Sequence, residues 1–185
     1  NSQFDIVSFV IDHMAYQIAR FEEEKLLKGE LSKIDGLSKV KNVITAKANN
    51  VVTADELIDL QGSIKDAFQQ NAIWVMSSKT RTAIRKLKDQ NGRYLLQDDA
   101  TSAFGNMLLG KPVYVSDNMD DIGASKTTIY YGDMSGLAVK ITEEMEIQVL
   151  REKYATQHAV GVVAWMEFDA KIENEQKIAA LKMGE

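Results

Sequence analysis

The chain has 185 residues, 45% hydrophobic and 26% charged, with a formal net charge of −5 and no cysteine. That is ordinary globular material with enough apolar residues for one large core or two small ones, which excludes a disordered chain. The acidic balance speaks against nucleic acid as the main partner. The lack of thiols excludes disulfides, cysteine nucleophiles and cysteine-ligated metals, and it fits assembly in a reducing cytoplasm.

In chain order, Phe4 to Leu27 is the longest periodic segment. Val7, Ile11, Met14, Ile18 and Phe21 recur at the spacing of one buried helical face. Such a helix would be on the order of 35 Å long. Asp5, Asp12 and His13 interrupt the run, so it is not a membrane span, and it lacks the basic start of a signal peptide. Because the chain opens on Asn1 inside this helix, it reads as the remnant of a longer polypeptide. The acidic run Glu22, Glu23 and Glu24 near the helix end is either a solvated face or a subunit contact. Gly29 is placed to stop the helix.

Gly29 to Asn50 reads as turns with short β-like pieces at Val40 and Val43-Ile44. Thr53 followed by Glu56 is a capping box, and it opens a helix with Leu57, Leu60, Ile64 and Phe68 inward, ending near Gln70. Ala72–Met76 is apolar and reads as a buried strand. Ser77 or Ser78 caps the next helix, about Lys79 to Lys88. That helix turns Ile84, Leu87 and Ala83 inward and Lys79, Arg81, Arg85, Lys86 and Lys88 outward. Asp89–Gly92 is a turn, Arg93 to Leu96 starts a strand, and Gln97–Asn106 is an exposed loop. Gly110 to Val113 feeds a strand ending at Ser116.

Beyond Asp117 the chain is strand-rich. Thr127–Tyr131 is β-branched and aromatic, and Gly132–Gly136 is a turn. Leu137–Thr142 and Glu146–Leu150 alternate as two half-buried strands, with Glu143-Glu144 as a hairpin tip between them. Val160–Phe168 is expected as a central strand and Ile178–Met183 as a short closing one. The capped helix at Thr53, the Ala72–Met76 strand and the next capped helix imply an α/β layer, with helices packed on a small sheet.

Three segments carry residues of types used in chemistry, and each has a simpler reading. Gly105 to Lys111 matches the first part of a phosphate-binding loop. Pro112 then stands where a Ser or Thr should hold magnesium, and a strand follows where a helix is required, so it reads as a turn. His13 and His158 have no partners at ligand spacing, so no metal site is expected. The basic face of the 79–88 helix is read first as solvated, then as a contact to an acidic neighbour, and last as a nucleic-acid surface. Trp74, Tyr94 and Trp165 sit in apolar strand contexts and look like core residues, not a base-stacking platform. No catalytic constellation or cofactor motif is present, so no enzyme activity and no cofactor are expected.

Several segments together carry a family resemblance. Trp74-Val75-Met76, Leu87-Lys88-Asp89-x-Asn91-Gly92-Arg93-Tyr94 and Leu108-Leu109-Gly110-Lys111-Pro112-Val113 resemble, in order and spacing, the axial domain of tailed-phage major capsid proteins of the Hong Kong 97 type. Phe4–Gly29 is similar to their long spine helix, Val52–Ile58 to the first axial helix, and Tyr131-Gly132-Asp133-Met134-Ser135 to the turn before the peripheral sheet.

The resemblance implies a peripheral domain (4–32 and 118–168, spine helix plus long antiparallel sheet) and an axial α/β domain (33–117 and 169–185). It implies a structural subunit forming pentamers and hexamers of an icosahedral head that encloses a genome. The virion is then its place and the bacterial host cytoplasm its site of assembly. Its partners would be copies of itself, with scaffolding, protease, portal or cement proteins, packaged DNA only non-specifically, and no membrane. An encapsulin-like shell subunit is the near alternative, and a nucleic-acid module using the 79–88 helix the remote one. Glu22, Glu23, Glu24, Lys79, Arg81, Arg85 and Lys86 are candidate intersubunit contacts. Family members carry an N-terminal arm and an extended loop before the spine helix, which this sequence lacks, so a monomer or small oligomer is expected of it. Some members form isopeptide cross-links with the help of a Glu. Glu167 falls at that position, but the matching Asn position, around Val160, is apolar, so no cross-linking is expected.

Overall fold

The computed structural model describes residues 5–31, 33–88, 92–94, 96–98 and 106–185. Its helices are Ile6–Lys28 (α1), Ala54–Gly62 (α2) and Ser78–Arg85 (α3). Its strands are Val43–Thr45 (β1), Ile73–Met76 (β2), Leu96–Asp98 (β3), Asn106–Leu108 (β4), Lys111–Val115 (β5), Thr127–Gly132 (β6), Leu137–Leu150 (β7), Gly161–Ile172 (β8) and Ile178–Lys182 (β9). They form a seven-stranded mixed sheet, ordered β1-β9-β6-β2-β5-β4-β3, and a separate two-stranded ribbon of β7 and β8.

The centre of the large sheet follows from strands that are apolar on both faces. β2, β6 and β9 are buried almost throughout, as expected where helices or turns cover both sides. β2 runs parallel to β5 and antiparallel to β6. One face packs Trp74, Met76, Tyr131 and Leu181 against Leu57, Leu60 and Ile64 around α2. The other packs Val75, Tyr130, Ile178 and Ala180 against Leu27 at the end of α1 and against Leu37 and Val40. Trp74 donates from Nε1 to the Leu108 carbonyl at 2.9 Å, and its ring lies 4.2 Å from that of Tyr131. The buried indole therefore keeps a partner for its N–H.

Local signals explain most boundaries. Asp5 caps α1 by accepting from the N–H groups of Val7 and Ser8 at 3.1 and 3.2 Å. Gly29, at φ 72°, stops the helix in the left-handed region and donates to the Lys25 carbonyl. The capping box of α2 is complete: Glu56 N donates to Thr53 Oγ1, and Thr53 N donates to Glu56 Oε2. Ser77 caps α3 by accepting from Thr80 N. Leu109 and Gly110, both at positive φ, make the tight turn between β4 and β5, which is the twist-matched solution for a short hairpin.

Several expectations are corrected. α2 ends at Gly62, not near Gln70, because the chain turns at Ser63, whose hydroxyl donates back to the Leu60 carbonyl at 2.7 Å. α3 ends at Arg85, short of Lys88. The expected loop Gln97–Asn106 is in part a hairpin, with Leu96–Asp98 paired to Asn106–Leu108. Residues 99–105 and most of the expected 89–92 turn lie outside the described residues. Glu143-Glu144 is no hairpin tip. β7 runs unbroken for 14 residues, and register shifts around Glu143 absorb the irregularity. Val160–Phe168 is not a central strand, since among the described residues β8 pairs with β7 alone. Its apolar run anticipates burial that one chain does not supply. Thr127–Gly132, grouped by sequence with the long sheet, lies inside the large sheet between β9 and β2. The closing strand β9 is interior, parallel to β1 and antiparallel to β6.

Candidate functional site

The chain presents surfaces rather than a cleft lined by reactive groups. Among the described residues no three His, Asp or Glu side chains group as a metal site, and no helix is long and apolar enough to cross a membrane. What stands out is uncovered apolar area on α1 and on the β7–β8 ribbon.

α1 has two apolar faces. Val7, Ile11, Met14 and Ile18, the predicted inward face, are only half-buried, and Leu27 alone is fully buried. Phe21, expected inward, is exposed. The opposite side carries Ile6, Phe9 and Tyr16, between 56 and 67% exposed. His13 stacks beside Phe9, and the Arg20 guanidinium lies over the Tyr16 ring. The ribbon, which lies along α1, exposes Val139, Ile141, Met145, Val160 and Val163. A two-stranded ribbon on its own is marginal, so this length of exposed, partly apolar β structure calls for a partner. Glu167 sits on it, exposed and directly opposite Glu143. Like charges facing across strands oppose pairing.

The acidic end of α1 is only partly free. Glu23 Oε2 accepts from Asn118 Nδ2 at 3.0 Å, and its other oxygen lies 3.5 Å from the Tyr114 hydroxyl. Burial, followed by the Glu23 charge, raises the Tyr114 pKa. Glu22 is half-buried and Glu24 exposed. Glu23 thus ties the helix to the loop after β5, whereas Glu24 faces outward.

The basic helix divides likewise. Lys79 pairs with Asp121 at 2.8 Å, and Ser77 Oγ donates to the other Asp121 oxygen at 2.7 Å. The Lys79 and Ser77 hydrogen bonds hold the Asp121 carboxyl below its ordinary pKa. Arg81 reaches back to Asn106 Oδ1 at 3.4 Å and is half-buried. Arg85 and Lys86 remain exposed, and the Lys88 ammonium lies over the Tyr94 ring. Among the described residues no ion pair joins Lys79, Arg81 or Lys86 to the α1 carboxylates.

The phosphate-loop lookalike has a structural use. Lys111 donates its ammonium to the Gln69 carbonyl. Gln69 in turn donates to the carbonyls of Gln61 and Ile64 and accepts from the Tyr131 hydroxyl. Sequence reasoning missed this network, whose hydrogen bonds join residues 5 to 70 positions apart. The Gly132–Ser135 turn is built around a close approach. A Cβ at Gly132, φ 141°, would lie 2.0 Å from the Lys177 carbonyl oxygen. Asp133 Oδ1 accepts from Ser135 N at 3.0 Å, and Lys177 Nζ lies 3.6 Å from Asp133. Burial pushes the Asp133 carboxyl up, but the Ser135 bonds and Lys177 outweigh it and leave its pKa lowered.

Comparison with known proteins follows the same lines. Residues 1–183 match the model of a family described as the phage capsid family. The capsid of the native GTA particle is 26% identical, with a TM-score of 0.82 over 100% of this chain and 74% of that one. Microbacterium phage Oxtober96 gives 17% identity and a TM-score of 0.74, over 99% of this chain and 67% of that one. The holo-SrpI encapsulin complex from Synechococcus elongatus PCC 7942 gives 15% identity and a TM-score of 0.71, over 98% and 67%. No curated protein matches.

Proposed function

This chain belongs to the phage capsid family, has the Hong Kong 97-type α+β fold and is a structural subunit of a protein shell; from that premise we propose that its copies form the pentamers and hexamers of an icosahedral head that encloses a genome. The observation that carries this reading is the uncovered apolar surface of α1 and the β7–β8 ribbon. One copy leaves it wet, and a ring of copies would bury it. On this reading α1 and the ribbon form the peripheral domain, and the seven-stranded sheet with α2 and α3 forms the axial one. That division moves Thr127–Gly132 to the axial side. Glu24 and Glu22 on one copy and Lys86 on another are complementary in sign and serve as rim contacts. Lys79 and Arg81 are held mainly by their own chain.

A capsid family is structural, and we assign no catalysis to this chain. Glu167 is read as inactive in cross-linking: Val160 at the matching position is apolar and exposed. Assembly takes place in the host cytoplasm, with scaffolding, protease, portal or cement proteins as further partners. DNA is enclosed without being read, because the net charge is −5 and Lys79 is already paired. The likeness to an encapsulin supports a second reading, a shell around protein cargo.

Light scattering after size exclusion, followed by negative-stain microscopy across salt and concentration, tests the proposal. Five- and six-fold rings or uniform shells are expected once an N-terminal arm and extended loop of the family type precede α1, and a monomer or small oligomer without them. A chain that stays monomeric under every condition, including in company of its host's other head proteins, would refute it. Nuclease-protected DNA inside purified shells separates a genome container from a cargo shell.

A further inference from the structure

α2 and α3 pack on the same face of the large sheet, where Leu57, Leu60 and Ile84 enter one core. They sit towards opposite ends of that face. α2 lies over β1, β9 and β6. α3 leans to the β4 side, where Arg81 reaches Asn106. In the strand order β1-β9-β6-β2-β5-β4-β3, α2 therefore belongs to the β1 end and α3 to the β4 end.

Their outer faces are opposite in charge. Residues 51–62 hold Asp55, Glu56 and Asp59 and no Lys or Arg. Glu56 is buried in its capping box, which leaves Asp55 and Asp59 exposed, without an ion pair among the described residues. Asp55 suits the positive start of α2. Asp59 stands one turn later, near the negative end of the helix, and repels Asp55 at i,i+4. Ile58 lies beside them, 54% exposed. Gly62 completes this face. It is not in the left-handed region, and no described atom comes within 4 Å of where its Cβ would stand. Glycine weakens a helix, and nothing in its own chain requires this one. On α3 the signs reverse. Residues 78–88 hold no Asp or Glu. Lys79 is neutralised by Asp121, Thr82 is exposed one turn on, and exposed Lys86 meets no carboxylate among the described residues.

A wet isoleucine, two unpaired carboxylates and a glycine with open space above it share one helix face. A neighbour that brings cations and approaches closely accounts for all three, and this chain carries such a surface at the other end of the same layer. We propose that the outer face of α2 on one copy docks on the outer face of α3 on the next, with Asp55 and Asp59 facing Lys86 and Ile58 covered beside Thr82. The two patches differ, so the contact is head-to-tail and repeats into a ring. The proposal rests on the shell reading and deepens it by naming the faces that meet. Glu22 and Glu24, on α1 and the opposite side of the sheet, are the rival partners for Lys86.

Disulfide trapping provides the test, because the chain has no cysteine of its own. Ile58→Cys and Thr82→Cys chains, each with the family-type arm and loop before α1, are mixed, assembled, oxidised and run on a non-reducing gel. Linked dimers are expected from the mixture and only a trace from either variant alone. Asp59→Lys in the Ile58→Cys chain should cut the yield roughly tenfold, since it sets like charges face to face, and Lys86→Glu in the Thr82→Cys chain should restore it. A yield that ignores Asp59→Lys, or one lost through Glu24→Lys instead, would overturn the proposal. Rings or shells that form without the trapped dimer refute this contact and leave the shell reading standing. Chains that stay monomeric throughout refute both.

Discussion

Glu56→Ala should destabilise the large sheet far more than its place on a short helix suggests. Glu56 is buried, accepts from Thr53 N at 2.8 Å to complete the capping box, and accepts from Lys47 N at 2.8 Å. The second bond holds the segment after β1, where Ala46 N donates to the Lys182 carbonyl and Gly184 N to the Ala48 carbonyl. One carboxylate therefore joins the start of α2 to the edge of the sheet. A hydrogen bond to a charged group contributes about 1.5–3 kcal/mol, and the two orphaned N–H groups lie where water reaches them only in part. The expected loss is about 3 kcal/mol, which for a chain of this length lowers Tm by about 6–12 °C. Burial alone would raise the Glu56 pKa, but the backbone bonds from Thr53 and Lys47 outweigh it and leave it lowered. A lowered folded pKa gives stability that is present above the ordinary value of 4.5 and lost as pH falls through the folded value. Urea unfolding followed by tryptophan fluorescence, from pH 7 to pH 3, should show the gap between the original chain and Glu56→Ala closing below about pH 4.5. A gap under about 1 kcal/mol at pH 7, or one that does not change with pH, refutes the argument.

Gly132→Ala forces a Cβ to within 2.0 Å of the Lys177 carbonyl at a φ of 141°, and should cost more than about 3 kcal/mol, seen as loss of soluble protein or of the urea transition. Trp74→Phe leaves the buried Leu108 carbonyl without its 2.9 Å donor and should cost about 1–3 kcal/mol by the same denaturation assay. Lys79→Ala should leave the urea midpoint unchanged within error, because the lysine side chain is 83% exposed although its ion pair is short. Phe9→Asp with Tyr16→Asp should leave single-copy stability within about 0.5 kcal/mol but abolish rings and shells in the electron microscope. Shells formed normally by that double variant would remove the outer face of α1 from the interface.

Legibility followed the range of the interactions. Thr53 with Glu56, Asp133 with Ser135, and Gly29 after Lys28 are readable because each device acts within a few residues. The β2 strand and the α3 helix are readable from composition and period. Leu137–Leu150 reads as two strands because polar Glu143-Glu144 mimics a turn, and a register shift that tolerates them leaves no mark in the sequence. The apolar Val160–Phe168 run looks central because a sequence records that a segment will be covered without recording whether its own chain covers it.

From residues alone came the caps, the turns, the apolar strands and, through the order of several segments, the capsid resemblance. Tertiary structure alone decided that β6 joins the large sheet, that β9 lies between β1 and β6, and that Lys111, Gln69 and Tyr131 meet. It also decided that α2 and α3 share one face of the large sheet and that α1 keeps an exposed aromatic side. The physical reason is that caps and periods are set by near neighbours along the chain, whereas strand order and buried polar contacts join residues far apart in sequence, and their partners are chosen only when the whole core closes.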